Sequence, residues 1–193
     1  MGASSQNRSF HLPRAVGTRE RVMIFVDGSN LYHSLKSQFG HADLNFEAFC
    51  HKLTGERNLV RTYYYNAPVD QTKEPEHYQE QLKFLQDMRR IPYLEVRLGR
   101  LVYRNWPSEP PYEKGIDVMM TTDLLLLCFR DTYDTLIMVG GDTDLADAIQ
   151  AVKDMGKHVE VALFGAPWTS QRLRDVADRI IKVDGNYLRG CWK

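Results

Sequence analysis

Two apolar runs in this chain each end in acid, and a third acid opens an apolar stretch between them. Val22-Met23-Ile24-Phe25-Val26 runs into Asp27-Gly28-Ser29-Asn30, and Thr135 to Val139 runs into Gly140-Gly141-Asp142-Thr143-Asp144. Lys114-Gly115-Ile116-Asp117 leads the apolar stretch that ends at Phe129. In open α/β sheets, ligands bind beyond the carboxyl ends of the strands, so acids delivered there are candidates for chemistry. If the two strands are neighbours, Asp27, Asp117, Asp142 and Asp144 converge on one crevice. Clustered carboxylates repel one another, and a divalent cation relieves that repulsion. Oxygen ligands without His or Cys select Mg²⁺ or Mn²⁺ over zinc. Such an ion binds phosphate oxygens and acidifies water, and a pair of them about 3.5–4 Å apart clamps the entering and leaving oxygens.

Each acid also has a structural role open to it. Asp27-Gly28 suits a turn, although Asn30 before a helix adds a second polar group. Asp142 suits a helix N-cap, a role that needs no Asp144. Asp117 at a helix start complements the dipole. Asp123 lies about 120° round the helix from Asp117, within apolar surroundings, and Asp147 reads as surface.

The elements that would position these residues alternate along the chain. Strands are predicted at Val22–Val26, Leu59–Tyr65, Tyr93–Leu98, Thr135–Val139, His158–Phe164 and Arg179–Val183, with Leu101–Trp106 as an extra strand or hairpin. Continuous apolar runs suit strands buried on both faces of a parallel sheet. Helices are predicted at Leu31–Phe39, Asn45–Leu53, Pro75–Arg90, Ile116–Phe129, Leu145–Met155 and Thr169–Ala177. In the third, Tyr78, Leu82, Leu85 and Met88 recur at helical spacing behind Pro75, and Gly156 stops the fifth. Strand–helix alternation predicts an α/β domain with a mainly parallel central sheet and helices on both faces. Residues 1–19 read as a flexible arm carrying Arg8, Arg14 and Arg19, residues 20–185 as the domain, and residues 186–193 as a C-terminal tail.

The blocks Val26-Asp27-Gly28-Ser29-Asn30, Lys114-Gly115-Ile116-Asp117-Val118 and Val139-Gly140-Gly141-Asp142-Thr143-Asp144 resemble the three motifs of NYN domains, a branch of the PIN-like ribonucleases. Ser170, Leu173, Ala177 and Asp178 are similar to the family's C-terminal Ser-x-x-Leu-x-x-x-Ala-Asp pattern. The resemblance runs from about Arg21 to Val183. It implies a Rossmann-like, three-layer α/β/α fold and metal-dependent hydrolysis of RNA phosphodiesters, leaving a 5′-phosphate. On it, Asp27, Asp117 and Asp142 would hold Mg²⁺ or Mn²⁺, with Asp144 a further ligand or water-orienting group. Ser29 and Asn30 would meet substrate or position Asp27, Lys114 would contact phosphate, and Ser170 would contact substrate or cap its helix. Gly140-Gly141 departs from the family's common pairing of Ser with Gly there, which removes a hydroxyl donor.

Composition narrows the setting. The 193 residues are 43% hydrophobic and 26% charged with zero formal net charge, a globular balance. Nucleic acid must therefore be met by a local basic patch. Arg97 to Trp106 interleaves cations with aromatics, as single-strand binding surfaces do; an edge strand kept soluble by arginine has the same pattern. Arg172, Arg174 and Arg179 could add charge near the fourth motif, and Tyr65 or Asn66 could line the crevice. Cys50, Cys128 and Cys191 are odd in number and form no C-x-x-C pair, so neither a zinc site nor a disulfide framework is indicated. No run reaches membrane-spanning length, and neither a signal peptide nor a myristoylation pattern is present. The expectation is a cytoplasmic protein that meets single-stranded RNA, with a homodimer as one arrangement.

Several alternatives stay open at this point. A haloacid-dehalogenase-type phosphatase needs a second Asp where Ser29 stands. A metal-dependent adhesion site needs Ser where Leu31 stands. Neither G-x-G-x-x-G nor a Walker lysine loop is present. A regulatory RNA-binding protein using the same crevice without turnover is the non-enzyme alternative.

Overall fold

A computed structural model describes residues 19–165 and 171–193. Among these residues, eight strands and six helices follow in the order β1 (Arg21–Asp27), α1 (Gly28–Phe39), α2 (Phe46–Thr54), β2 (Asn58–Asn66), α3 (Pro75–Met88), β3 (Leu94–Leu98), β4 (Arg100–Val102), β5 (Tyr112–Lys114), α4 (Ile116–Phe129), β6 (Thr135–Val139), α5 (Ala146–Asp154), β7 (His158–Phe164), α6 (Gln171–Val176) and β8 (Arg179–Val183). A 3₁₀ turn, Thr143–Leu145, precedes α5.

Six strands form one sheet in the order β3-β2-β1-β6-β7-β8, with every neighbouring pair parallel. The period-2 alternation of a strand explains the layers. Along β1, Val22, Ile24 and Val26 face a core shared with α1, α2 and α3, and Met23 and Phe25 face a second core shared with α4, α5 and α6. Both faces are covered, which is why β1 reads as an unbroken apolar run. Each such side chain contributes about 1.5–3 kcal/mol when fully buried, so β1 is anchored from both sides.

The elements differ from expectation in three places. The stretch after β3 does not extend the sheet: β4 pairs antiparallel with β5 as a separate ribbon. The helix expected from Leu145 is preceded by the 3₁₀ turn, because Asp142 caps that turn through the Asp144 N–H. Residues 186–193 are not a tail outside the domain. Leu188 and Cys191 are buried, the Asn45 N–H donates to the Cys191 carbonyl at 2.8 Å, and the Trp192 ring lies 5.3 Å from Phe39. They pack against α1 and the segment that leads into α2.

Candidate active site

The strand order reverses its winding between β1 and β6, the position where open α/β sheets leave a crevice. Here β1 and β6 are hydrogen-bonded neighbours, with Val26 opposite Val139. Asp27, one residue beyond Val26, and Asp142, three beyond Val139, therefore emerge at the same edge. α4 brings Asp117 to that edge in its first turn.

Asp27 is 7% exposed. One of its oxygens accepts the Asn30 N–H at 2.9 Å and so caps α1. Asn30 in turn accepts the Gly141 N–H through Oδ1 at 3.0 Å, which ties the β1–α1 turn to the turn after β6. Two glycines let these backbones meet. A Cβ on Gly28 would stand 2.4 Å from the Tyr64 ring and 2.6 Å from the Tyr65 carbonyl. Gly140 has φ 149°, and a Cβ there would press on Asp27 Cβ at 3.1 Å. At Gly140 a side chain would crowd Asp27, whereas at Gly141 a Cβ would meet Asn30 only at ordinary distances of 3.8–3.9 Å.

These groups line a cleft of about 570 Å³ together with Ser29, Glu113, Asp117 and Asp142. Among the described residues, none of Asp27, Glu113, Asp117, Asp142 and Asp144 forms an ion pair. The electrostatics follow from that. Burial raises the Asp27 carboxyl, opposed by the Asn30 N–H and reinforced by the charges of Asp142 and Asp117. Burial also raises Asp117, helped by Asp142 and Asp144. Glu113 is pushed up to about 7 by burial and by the charges of Asp27 and Asp117, against a hydrogen bond with Ser29. Desolvation and like charge both disfavour the ionised form, and here they act together.

The expected site residues fall into separate groups. Asp27, Ser29, Asn30, Asp117 and Asp142 line the cleft. Asp144 does not line it, but its charge reaches Asp117. Lys114 is exposed on β5, and Ser170 lies outside the described residues, as does the arm up to residue 18. Asp123 has a structural post: it accepts the Tyr65 hydroxyl at 2.8 Å and pairs with Arg97 Nε at 3.6 Å. Asp147 pairs with Arg172, and Arg179 with Glu160. Asn66 holds the Tyr64 hydroxyl at 3.0 Å. The expected strip of cations and rings between Arg97 and Trp106 is broken up: Arg97 lies over the Tyr63 ring, and the Tyr103 hydroxyl is held by Glu74 at 2.8 Å.

Two contributions were missed from the sequence. Glu113 reaches the cleft because β5 alternates, with Glu113 on one face and Tyr112 and Lys114 on the other. His33, Ser34 and Ser37 line the cleft from α1. With Asn30 they form a polar stripe at i, i+3, i+4 and i+7, a signal visible in the sequence.

The carboxylates of Asp27, Glu113, Asp117 and Asp142 are hard oxygen donors without a neutralising cation, which suits a divalent ion such as Mg²⁺ or Mn²⁺, with His33 a nitrogen also on the cleft wall. Among the described residues, no three His, Cys, Asp or Glu side chains are grouped closely enough to hold a metal ion as they stand. The arrangement is an acid-lined cleft whose donor chemistry fits such an ion, rather than a finished cage.

Comparison with known proteins adds the family. The NYN domain family matches residues 21–184. The chain belongs to the NYN domain family. Among solved structures, this NYN domain is similar to VPA0982, a protein of unknown function from Vibrio parahaemolyticus, at 24% identity and TM-score 0.70, covering 90% of this chain and 98% of that one. That likeness shows the fold. Weaker likenesses are to Acinetobacter baumannii MurG (15% identity, TM-score 0.43, 87% of this chain and 42% of that one) and to Plasmodium falciparum nicotinic acid mononucleotide adenylyltransferase (10%, 0.38, 85% and 74%). Among curated proteins, none matches the chain. No helix among the described residues is long and apolar enough to cross a membrane, and the three cysteines are free and buried.

Proposed function

We propose that this NYN domain is a metal-dependent ribonuclease that hydrolyses RNA phosphodiester bonds at the β1–β6 cleft. The observation that carries the reading is the gathering of Asp27, Glu113, Asp117 and Asp142 around one cleft with no cation paired to them among the described residues. Asp27, Asp117 and Asp142 are the residues that would hold Mg²⁺ or Mn²⁺, with Asp144 adding negative charge behind Asp117. When bound, such an ion supplies charge neutralisation for the phosphodiester and an acidified water as nucleophile.

The chain's own residues do the positioning. Asn30 holds the Asp27 turn and the Gly141 backbone in one register. Ser29 and Glu113 line the cleft beside Asp27. Glu113, poised near neutrality, is suited to exchange a proton with a bound water. Lys114 stands outside the cleft as a phosphate contact. No side-chain nucleophile is required, so a covalent enzyme–RNA intermediate runs against the scheme.

The test is incubation of end-labelled single-stranded RNA with EDTA, Mg²⁺ or Mn²⁺. Cutting in either metal and none in EDTA is expected. RNA retained by the protein but uncut in every metal would support a binding role instead.

A further inference from the structure

We propose that the β4–β5 ribbon is an arm that grips single-stranded RNA beside the cleft, with Arg100 and Tyr112 joining Lys114 on one solvent-facing surface. This rests on the ribonuclease reading of the cleft.

The register opposes Arg100 to Lys114, Leu101 to Glu113 and Val102 to Tyr112. Residues opposite one another in a ladder share a face, and successive residues alternate. One face of the ribbon is thus turned inward: Leu101 packs against the core beneath α4 and Glu113 lines the cleft. The other face presents Arg100, Lys114, Tyr112 and Val102. Arg100 and Lys114 are exposed, and Tyr112 is 46% exposed.

Arg100 is unpaired among the described residues, as are Arg89, Arg104, Arg130 and Arg189, and of these it alone is set opposite another cation in a strand register. Arg21, Arg57, Arg61, Arg97, Arg172 and Arg179 are each tied to a carboxylate. Among the described residues, Arg100 and Lys114 form no ion pair, although they face each other across one rung. Like charges placed opposite are destabilising in a ladder, so the rung is more favourable with an anion between them. A phosphate meets that need, and the neighbouring tyrosine offers a ring on which a base stacks. On a chain with no net charge, an acid-lined cleft repels RNA unless local cations hold the strand.

The ribbon is fixed to the site. The Gly99 N–H donates to the Asn66 carbonyl at 2.9 Å, where β2 ends. A Cβ on Gly99 would lie 2.7 Å from Ile116 Cδ1 and 3.1 Å from the Lys114 carbonyl. The start of β4 therefore lies against the first residue of α4, next to Asp117.

Anisotropy of a fluorescent single-stranded oligoribonucleotide in EDTA tests the arm apart from cleavage. Arg100→Ala with Lys114→Ala is expected to weaken binding about tenfold or more. Losing one phosphate contact lowers the slope of log affinity against log salt by about 0.7, and because Arg100 and Lys114 share one phosphate the double variant reads about 0.7 less. Tyr112→Ala is expected to weaken binding with the salt slope unchanged. In the cleavage assay the double variant raises KM more than it lowers kcat. A melting temperature no lower than that of wild type shows that these surface variants fold. Wild-type protein that does not bind in EDTA, or a double variant with wild-type affinity and slope, overturns the arm. Loss of binding in the double variant, with no cleavage by wild type in any metal, keeps the arm and overturns the ribonuclease reading.

Discussion

The two ends of the sheet hold clefts of similar size and opposite charge logic. At the amino end, a cleft of about 600 Å³ is lined by Glu20, Arg57, Glu160, Asp178 and Arg179. Glu20, Glu160 and Asp178 are paired there: Arg57 reaches Glu160 at 3.1 Å and Glu20 at 3.8 Å, Arg179 reaches Glu160 at 3.3 Å, and Lys153 reaches Asp178 at 3.0 Å. Nearby, Asp134 is held below the usual carboxylate range by its hydrogen bond from Arg21. At the carboxyl end, the 570 Å³ cleft gathers acids that have no such partner among the described residues, and three of them are raised. Size alone favours the amino end by a little. Charge decides otherwise, because paired acids are already satisfied and unpaired ones invite a ligand.

The largest expected effect breaks the carboxyl end. Asp27→Asn or Asp142→Asn is expected to lower cleavage by about 10²–10³-fold, the range seen when one stabilising group is removed from a transition state. Asn still caps a helix as well as Asp does, so loss of fold is not the expected cause, and the melting temperature checks it.

The converse variant breaks the amino end. Arg57→Ala leaves Glu160, whose side chain is 10% exposed, with Arg179 as its remaining cation and removes the bonds to the Thr54 and Leu53 carbonyls, and is expected to destabilise the domain by about 2 kcal/mol. Urea unfolding reads this change. The cleavage rate well below the unfolding midpoint should stay at the wild-type value. A large loss of cleavage in this folded variant would erase the distinction between the two ends.

A smaller effect sharpens the comparison without RNA. Mg²⁺ or Mn²⁺ at about 100-fold its dissociation constant stabilises a protein by about 2.7 kcal/mol when it binds the folded state alone. The wild-type melting temperature is expected to rise with metal, and that of Asp27→Asn much less. In EDTA the order reverses, because the Asn variant lacks the repelled carboxylate. Equal metal response in both variants would place the ion elsewhere.

The smallest effect is in pH. Glu113 rises from 4.5 to about 7 in the folded chain, so between those values the folded state binds more protons than the unfolded. Stability therefore falls as pH rises across that window, and the unfavourable contribution is fully present above about 7. Glu113→Gln is expected to flatten this fall in EDTA. An unchanged pH profile would remove Glu113 from the cluster.

Much of this was legible in the sequence where neighbours in space are also neighbours in the chain. The run Val22 to Val26 shows a doubly covered strand, and Asp27, Asp117 and Asp142 each sit in a compact block at an element boundary. Glu113 was hidden because a three-residue strand between Pro111 and Gly115 gives no readable period. Asp123 was ambiguous because its partners, Tyr65 and Arg97, are distant in sequence. The packing of residues 186–193 rests on Leu188, Cys191 and Trp192, too few and too irregularly spaced to signal an element. The β1–β6 adjacency itself was posed as a condition, since strand order depends on crossovers that local pattern does not specify.

The central claim is tested most directly by comparing Asp142→Asn with Arg57→Ala on end-labelled single-stranded RNA, in Mg²⁺, Mn²⁺ and EDTA, at a temperature where both are folded. The account predicts metal-dependent cutting by wild type and Arg57→Ala, and its loss in Asp142→Asn with RNA still bound. Cutting that survives in Asp142→Asn, or that persists in EDTA, would contradict it.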